Sequence, residues 1–366
     1  MMKYLDALCG RPVVTVLARF FPVLPQKDDI NFPRSFLLIR PGGIGDAVLL
    51  APTVQALMAH FPGVSIDFLV EKRNRSVIAM YGSVGKIYYY DRPLDLFAVM
   101  SCRYDAVIDT EQWYRLSSIV ARLIRAEMRI GFATNVRSKM FSHPVAYSLE
   151  EYEGASFLRL LEPFGIFATL STEALPLLVI PREAEIRAAS LCVGLNQEST
   201  VVLFPGASIP EKRWGADRFR QVGKVLAEKG LTLLVVGGRE EAAEGMRIVA
   251  GGRGVNLAGK TSLVETAAIV ARAAVVVSGD SGVLHLAYAL GRPTVSLFGP
   301  SSVAKWAAQG ASHVVVHGKP SCSPCSRFGQ TPKCPHNVEC MQSITVEEVT
   351  NAVCELLQMP KEGNTN

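Results

Sequence analysis

A glycine-rich loop in the second half of the chain has the composition of a diphosphate-binding site. The run Val275-Val-Val-Ser-Gly-Asp-Ser-Gly-Val-Leu-His285 predicts a buried strand, a turn with two glycines and the start of a helix. Backbone amides and the helix dipole at such a start favour an anion. Gly279 and Gly282 let the backbone approach a phosphate without a Cβ in the way, and Ser281 adds a hydroxyl. The alternative is a strand-to-helix turn that only requires glycine.

Charged side chains follow two other predicted strands in the same half. Ser208 and Lys212 lie in the loop after the strand 200–204, where a lysine–phosphate contact contributes about 1.5–3 kcal/mol. Glu240 follows the next strand, and a carboxylate there can bind ribose hydroxyls. The alternatives are a solvated cation and an acidic first helical turn. Asp280 is predicted to cap its helix or to accept from a sugar hydroxyl, because a carboxylate does not favour a phosphate.

The first half carries a shorter glycine loop, Gly42-Gly-Ile-Gly-Asp46. It departs from the dinucleotide pattern GxGxxG because Val48 stands where the third glycine would be, so it is weak evidence for a dinucleotide. Asp46 carries more information, since a carboxylate at a strand end can remove a proton from an attacking hydroxyl. The alternative is an N-cap for the following helix.

A basic segment and a cysteine group complete the candidates. From Arg115 to Lys139 six basic residues stand against one acid, which indicates either a surface for an anionic acceptor or a solvated helix face plus a loop. The formal net charge of +5 is too small to predict nucleic acid binding. The cysteines are spaced C-x2-C-x8-C-x5-C and can hold a structural zinc, form disulfides or stay free; they are Cys322, Cys325, Cys334 and Cys340.

The elements that must position these residues form an α/β pattern. Predicted strands alternate with helices, which indicates parallel sheets covered on both faces, with ligands at the carboxyl ends of the strands. The predicted strands are 35–40, 65–70, 86–90 and 104–109, and then 200–204, 231–236, 254–257, 274–277 and 293–298. The length of 366 residues suits two such domains. The predicted helices include Ala47–His60 and the last helix, Thr345–Leu357, which opens with a capping box.

The domain boundaries follow from this pattern. We expect an N-terminal amphipathic arm over 1–34, a first domain over 35–178, a second over 179–345, and a last helix and tail over 346–366 that packs back on the first domain. No apolar run is long enough to cross a membrane. The apolar segment Val13–Leu24 is interpreted as an arm that rests on a membrane surface, or as an ordinary helix packed on its domain.

Taken in order, the loops resemble glycosyltransferase family 9, the ADP-heptose:lipopolysaccharide heptosyltransferases. The resemblance rests on Ile39-Arg-Pro-Gly-Gly-Ile-Gly-Asp-Ala-Val-Leu-Leu-Ala-Pro52, on Phe204-Pro-Gly-Ala-Ser208 with Lys212-Arg-Trp214, and on Ser278-Gly-Asp-Ser-Gly-Val-Leu-His-Leu-Ala287. Pro293-Thr-Val-Ser-Leu-Phe-Gly-Pro300 follows, and the whole covers roughly residues 35 to 357. Four motifs in order are far more specific than any one of them.

The resemblance implies a GT-B fold: two Rossmann-like doubly wound domains with a cleft between them. It implies inverting transfer of heptose from ADP-heptose to an anionic lipopolysaccharide inner-core acceptor, with Asp46 as general base and no cofactor. On the donor side it implies roles for Ser208, Lys212, Glu240, Lys260, Thr261, Asp280, Ser281, Gly282 and His285. On the acceptor side we place Gly42, Gly43, Gly45, Arg122, Arg125 and Arg129.

Other functions stay open on the sequence alone. The enzyme could use another nucleotide sugar, be a dinucleotide-dependent oxidoreductase, or be a non-catalytic nucleotide- or metal-binding module, for which Asp46→Ala would be silent. With no secretion signal, we expect a monomeric protein in the reducing cytoplasm, peripheral on the inner face of the membrane.

Overall fold

The computed structural model describes residues 6–22, 32–82, 84–171, 175–250 and 254–359. The chain splits into two compact units, Met1–Leu170 and Ser171–Asn366. The predicted arm is therefore described only in part, since 1–5 and 23–31 lie outside the described residues, as does the tail from 360 onward.

The first unit contains a six-stranded parallel sheet in the order β3-β2-β1-β4-β5-β6. Its central strand β1 is buried from Phe36 to Ile39 because helices cover both faces, which is why it is a continuous apolar run. The strands are β1 (Ser35–Arg40), β2 (Ser65–Val70), β3 (Ile87–Tyr89), β4 (Arg103–Asp109), β5 (Arg125–Phe132) and β6 (His143–Val145).

The helices of the first unit correct one prediction. Instead of a single helix over Ala47–His60, the chain forms one helix that begins at Ile44 and a second that begins at Ala51. Pro52 is the reason, because it lacks an N–H and is tolerated only in the first turn of a helix. The helices are α1 (Arg11–Phe20), α2 (Ile44–Leu49), α3 (Ala51–His60), α4 (Arg75–Ile78), α5 (Pro93–Ser101), α6 (Leu116–Leu123) and α7 (Glu153–Arg159).

The basic segment contains a strand that the sequence interpretation missed. One expectation for this segment was a helix followed by a loop. In the structure, helix α6 is followed by strand β5. Along β5 the charged residues Arg125, Glu127 and Arg129 alternate with apolar ones, and Met128 and Ile130 are buried. That alternation of period two is typical of a strand and was the available signal.

The second unit repeats the topology with the order β12-β11-β10-β7-β8-β9. The strands are β7 (Thr200–Phe204), β8 (Thr232–Val235), β9 (Gly254–Asn256), β10 (Val275–Gly279), β11 (Thr294–Phe298) and β12 (His313–His317). In both sheets the strand order reverses beside the first strand, between β1 and β4 and between β7 and β10. Ligands of such sheets bind at the carboxyl ends of these strands.

The last helix belongs to the second unit. Thr345 caps it, and Glu348 completes the predicted capping box. Its residues Val349 and Val353 join the core formed with β7, β10 and a helix on the same sheet face. The helices are α8 (Arg182–Leu191), α9 (Ala216–Glu228), α10 (Ala242–Val249), α11 (Leu263–Val270), α12 (Gly282–Ala289), α13 (Val303–Trp306), α14 (Glu339–Gln342) and α15 (Val346–Leu356).

The N-terminal arm packs on the first unit with one face only. Val14 is fully buried against Ile119 and Met140, and the buried Asp6 accepts hydrogen bonds from the backbone amides of Arg115 and Leu116. Within the described ranges, no helix is both long and apolar enough to cross a bilayer.

Candidate functional site

In the first unit, Asp46 lies at the carboxyl end of β1. Gly42 adopts φ +121°, which an L side chain rarely tolerates, and Gly43 is the N-cap of α2. Asp46 therefore lies in the first turn of the helix, and the alternative that it is the N-cap is wrong. A Cβ on Gly43 would lie 2.9 Å from Asp46 Oδ2, so this glycine makes room for the carboxylate.

Asp46 is held by a neutral amide that the sequence did not reveal. Gln112 Nε2 donates to Asp46 Oδ1 at 3.2 Å and to Glu153 Oε1 at 2.5 Å. The hydroxyl of Tyr147 donates to the other oxygen of Glu153 at 2.8 Å. These residues come from the loop after β4, from the segment after β6 and from the start of α7, so no sequence spacing connects them.

A buried arginine provides the nearby positive charge. Arg40 Nη2 lies 3.1 Å from Glu111 Oε2, and Arg40 is 1% exposed. Burial by itself lowers the pKa of Arg40, but Asp46, Glu111 and Glu153 raise it above its ordinary value. Arg40 thus stays charged within a group of carboxylates.

A second buried pair fixes the loop that carries Gln112. Arg137 Nη2 lies 2.5 Å from Asp109 Oδ2, and neither side chain is exposed. Burial raises the pKa of Asp109 even though Arg137 opposes this. Asp109 also accepts from the backbone amide of Glu111 at 3.1 Å, and Arg137 donates to the Tyr114 carbonyl. The pair therefore ties the start and the end of that loop to the sheet.

In the second unit, Asp280 is the centre of the glycine loop. Lys212 Nζ and Ser301 Oγ both donate to Asp280 Oδ2 at 2.6 Å, and His285 Nε2 lies 3.8 Å from Oδ1. Burial acts to raise the pKa of Asp280, but Lys212 and then His285 outweigh it and lower the pKa below its ordinary value. The carboxylate is therefore ionised and fixes Lys212 beside the loop.

This arrangement corrects one of the two roles predicted for Asp280, that of helix cap. The cap of helix α12 is Ser281, whose Oγ accepts from the amide of Leu284 and lies 2.7 Å from Ser278 Oγ. Gly282 opens the helix, with its first-turn amides at the end of β10. Asp280 is an anchor for a lysine rather than a cap, a role that only the meeting of two strand ends reveals.

The remaining donor-side residues follow β7, β8 and β9. Ser208 is exposed after β7, and Glu240 is exposed in the short 3-10 helix Arg239–Glu241 after β8. After β9, Lys260 is exposed with its Nζ bonded to the Asn256 carbonyl, and Thr261 Oγ1 lies 2.9 Å from Thr266 Oγ1. The topology thus brings them to the same edge of the sheet as Lys212 and the glycine loop.

The three predicted acceptor arginines lie elsewhere. Arg122 ends α6 and Arg125 begins β5, whose first residue pairs with Arg103 at the amino end of β4. That edge is opposite the one that carries Asp46. Arg129 donates to the carbonyls of Ala121 and Ile124. Burial lowers the pKa of Arg129, and the positive charge of Arg122 lowers it further. Arg129 is therefore committed to the fold, and the structure does not bring these arginines to the glycine loop Gly42–Gly45.

The four clustered cysteines approach one another in the second unit. Burial raises the pKa of Cys325, and Cys322 and Cys334 raise it further. Burial also raises the pKa of Cys340, in spite of a backbone hydrogen bond. In the part of the chain that the structure describes, however, no three His, Cys, Asp or Glu side chains are arranged to hold a metal ion, and none of the eight cysteines is in a disulfide bond.

Comparisons with known proteins agree on one family. The sequence pattern of glycosyltransferase family 9 (heptosyltransferase) matches residues 97–336, roughly two thirds of the chain. Lipopolysaccharide heptosyltransferase 2 of Escherichia coli K12 is 26% identical over 295 residues, which cover 73% of this chain and 83% of that protein. Lipopolysaccharide heptosyltransferase 1 of Salmonella typhimurium is 23% identical over 288 residues, covering 72% and 88%.

Solved structures show the same fold. A family 9 glycosyltransferase from Veillonella parvula superimposes with a TM-score of 0.78 at 21% identity, covering 89% of this chain and 97% of that one. The ADP-heptose lipopolysaccharide heptosyltransferase II of Escherichia coli gives 0.71 at 22% identity, covering 88% and 98%. With its two parallel six-stranded sheets, the chain is a glycosyltransferase of the GT-B fold and belongs to glycosyltransferase family 9, the heptosyltransferase family.

Proposed function

We propose that this enzyme transfers heptose from ADP-heptose to an inner-core acceptor of lipopolysaccharide. The observation that carries the donor part is the lysine fixed beside the glycine loop, with Lys212 Nζ 2.6 Å from Asp280. A lysine at the start of a helix complements a diphosphate, because the first-turn amides supply hydrogen bonds and Lys212 supplies charge. The names of the similar proteins support the choice of sugar and acceptor.

The donor is recognised at the carboxyl edge of the second sheet. In this proposal Lys212, Ser281 and Gly282 bind the diphosphate, and the exposed Glu240 binds the ribose. Ser208 contacts the diphosphate from the β7 loop, and Lys260 and Thr261 lie beside the adenine. During transfer the bond from the sugar to the diphosphate breaks, and the helix amides with Lys212 stabilise the leaving charge.

The acceptor hydroxyl is activated in the first unit. Asp46 takes its proton as it attacks the anomeric carbon from the face opposite the leaving diphosphate, which inverts the configuration. The support is the placement of Asp46 at the carboxyl end of β1 in the first turn of α2, where Gly43 leaves space beside Oδ2. Membership of a glycosyltransferase family argues against the oxidoreductase alternative. The choice between heptose and another sugar needs a direct assay.

The assay incubates the protein with ADP-heptose and a lipopolysaccharide acceptor that lacks heptose, and follows the acceptor by mass spectrometry. We expect the mass of one heptose residue to be added. Parallel reactions with an ADP-hexose and a UDP-hexose test the donor. Transfer only from one of these, or no transfer to acceptors truncated at successive core positions, would overturn the proposed substrate.

We also propose that the arm holds the enzyme at the surface of an anionic membrane. One face of α1 and the residues next to it is apolar and uncovered: Leu8 is 60% exposed, Val16 54%, Phe20 68% and Phe21 63%. Arg11 and Arg19 on the same helix are also exposed. Asp6, the one acid among described residues 6–22, is buried and paired with Arg115. An apolar stripe beside cations is typical of a helix that lies in a lipid interface.

Vesicle sedimentation tests this surface. Phe20→Ser with Phe21→Ser should weaken binding to phosphatidylglycerol vesicles by at least about tenfold, since burying each phenyl group contributes about 1.5–3 kcal/mol. Phe167→Ser is the control, because Phe167 is 79% exposed in the same unit but is not part of the arm. Arg122→Ser with Arg125→Ser should add a salt-dependent loss. Equal binding by the arm variant and the control would remove the arm from the membrane contact.

A further inference from the structure

The side chain of Gln112 lies between two carboxylates. Its amide nitrogen donates one hydrogen to Asp46 and the other to Glu153. Ionised carboxylates only accept hydrogen bonds, so the nitrogen must face them, whereas the amide oxygen in that place would be repelled by both. The charges of the two carboxylates thus set the orientation of the amide, and Glu153 is one of the two.

The main chain of Gln112 is fixed as well. Its backbone amide donates to Glu111 Oε1 at 3.0 Å, and its carbonyl accepts from Thr134 Oγ1 at 2.5 Å. A fixed backbone and an oriented amide leave the side chain little freedom. The hydrogen bonds from Gln112 to Asp46 Oδ1 and to Glu153 therefore restrict the motion of Asp46 Oδ1.

Glu153 is an unusual residue to bury near another carboxylate. It is fully buried, and burial of a charged group costs free energy unless hydrogen bonds compensate. Gln112 and Tyr147 donate to its two oxygens. Burial, and then Glu153, raise the pKa of Tyr147 far above its ordinary value, so the phenol keeps the proton with which it holds Glu153.

We propose that Glu153, acting through Gln112, is a positioning residue that holds Asp46 Oδ1 and so leaves Oδ2 to receive the proton of the acceptor hydroxyl. Gly43 belongs to the same device, because it leaves room at Oδ2. This inference rests on the proposed role of Asp46 as the base. Arg40 and Tyr147 interact electrostatically with Asp46, and the other carboxylates that act on Arg40 are Glu111, Glu153 and Asp109.

The test measures kcat against pH for Gln112→Leu and Glu153→Gln. Gln112→Leu should lower kcat about ten- to hundredfold, because misplacing a reacting group by about 1 Å costs this much. It should also move the acid limb of the profile to higher pH, since the amide no longer stabilises the charged carboxylate. The KM for the ADP-sugar should not change. Glu150→Gln is the control, because Glu150 is exposed nearby on the same segment.

A double-mutant cycle separates positioning from plain stability. Glu153→Gln should lower kcat about tenfold in the wild type and hardly at all in the Gln112→Leu background, because Glu153 acts through the amide. Equal losses in both backgrounds, or no loss, would overturn the proposal. If Glu153→Gln does not fold, Tyr147→Phe in the same two backgrounds makes the same test. Full transfer by Asp46→Asn would instead disprove the base itself, which is a separate result.

Discussion

Asp46 and Asp280 are the same residue type at the carboxyl edges of two sheets of the same topology, yet their surroundings differ. Asp46 follows β1, Asp280 follows β10, and glycines precede each of them. Asp280 is paired with Lys212 and bonded to Ser301. Asp46 accepts from the neutral amide of Gln112, and Arg40, a cation with which it interacts, also interacts with other carboxylates.

In the proposed function, this difference in neighbours gives the two carboxylates different tasks. A carboxylate paired with a lysine is held ionised and acts as a fixed anchor, which suits a site that must present a cation to a diphosphate. A carboxylate held by an amide keeps one oxygen in place without a dedicated counter-charge, which suits a group that takes up a proton. The largest change should therefore come from altering the proton acceptor.

Replacement of Asp46 by Asn should abolish most of the transfer. The amide keeps the shape of the carboxylate but cannot take a proton, so kcat should fall about 100- to 10,000-fold. ADP affinity, measured by calorimetry, should stay within about twofold because the donor residues lie in the other unit. A variant with nearly full kcat would mean that the two aspartates do not differ in the way proposed.

Replacement of Lys212 by Ala should affect the other half of the comparison. Loss of a charge-assisted contact of about 1.5–3 kcal/mol corresponds to roughly ten- to hundredfold weaker ADP binding. Lys224→Ala is the matched control, because Lys224 is exposed on α9. The same affinity in both variants would remove Lys212 from the donor site and leave it a structural partner of Asp280.

The stability contributed by Asp280 should depend on pH in one direction. Its pKa is lowered in the folded protein, so the unfolded chain binds the proton more readily and the contribution is present above the ordinary value of 3.8. It should be lost as the pH falls below that value. The measurement compares the Tm of the wild type with that of Asp280→Asn between pH 7 and pH 3. A Tm difference that grows on acidification would contradict the assigned pairing.

Replacement of Gly43 by Ala should give the smallest effect. The new Cβ would lie 2.9 Å from Asp46 Oδ2, and the end of a side chain can shift, so Tm should change little. The shifted carboxylate should nevertheless lower kcat, by about tenfold or less. Unaltered kcat would show that the position of Asp46 Oδ2 is not critical for transfer.

Local sequence was sufficient for much of the second unit. The strand Thr200–Phe204 is confirmed to the residue, and the capping box of the last helix is present as predicted. The loop Ser278–Gly282 was found because a continuous apolar strand, two glycines and a helix start follow one another directly. Where the relevant signal was a weaker alternation, as in β5, the basic residues obscured it and the strand was missed.

What the sequence by itself determined is the class of fold and the family, because the alternation of strands and helices and the order of four motifs can be read along the chain. Only the tertiary structure showed which partners each charged group has. Lys212 and Asp280 are joined across two strands, Glu153 reaches Asp46 only through Gln112, and Arg122 and Arg125 fall at the opposite edge of their sheet. Proton affinity and charge depend on neighbours in space, and parallel strands bring together residues that are far apart along the chain.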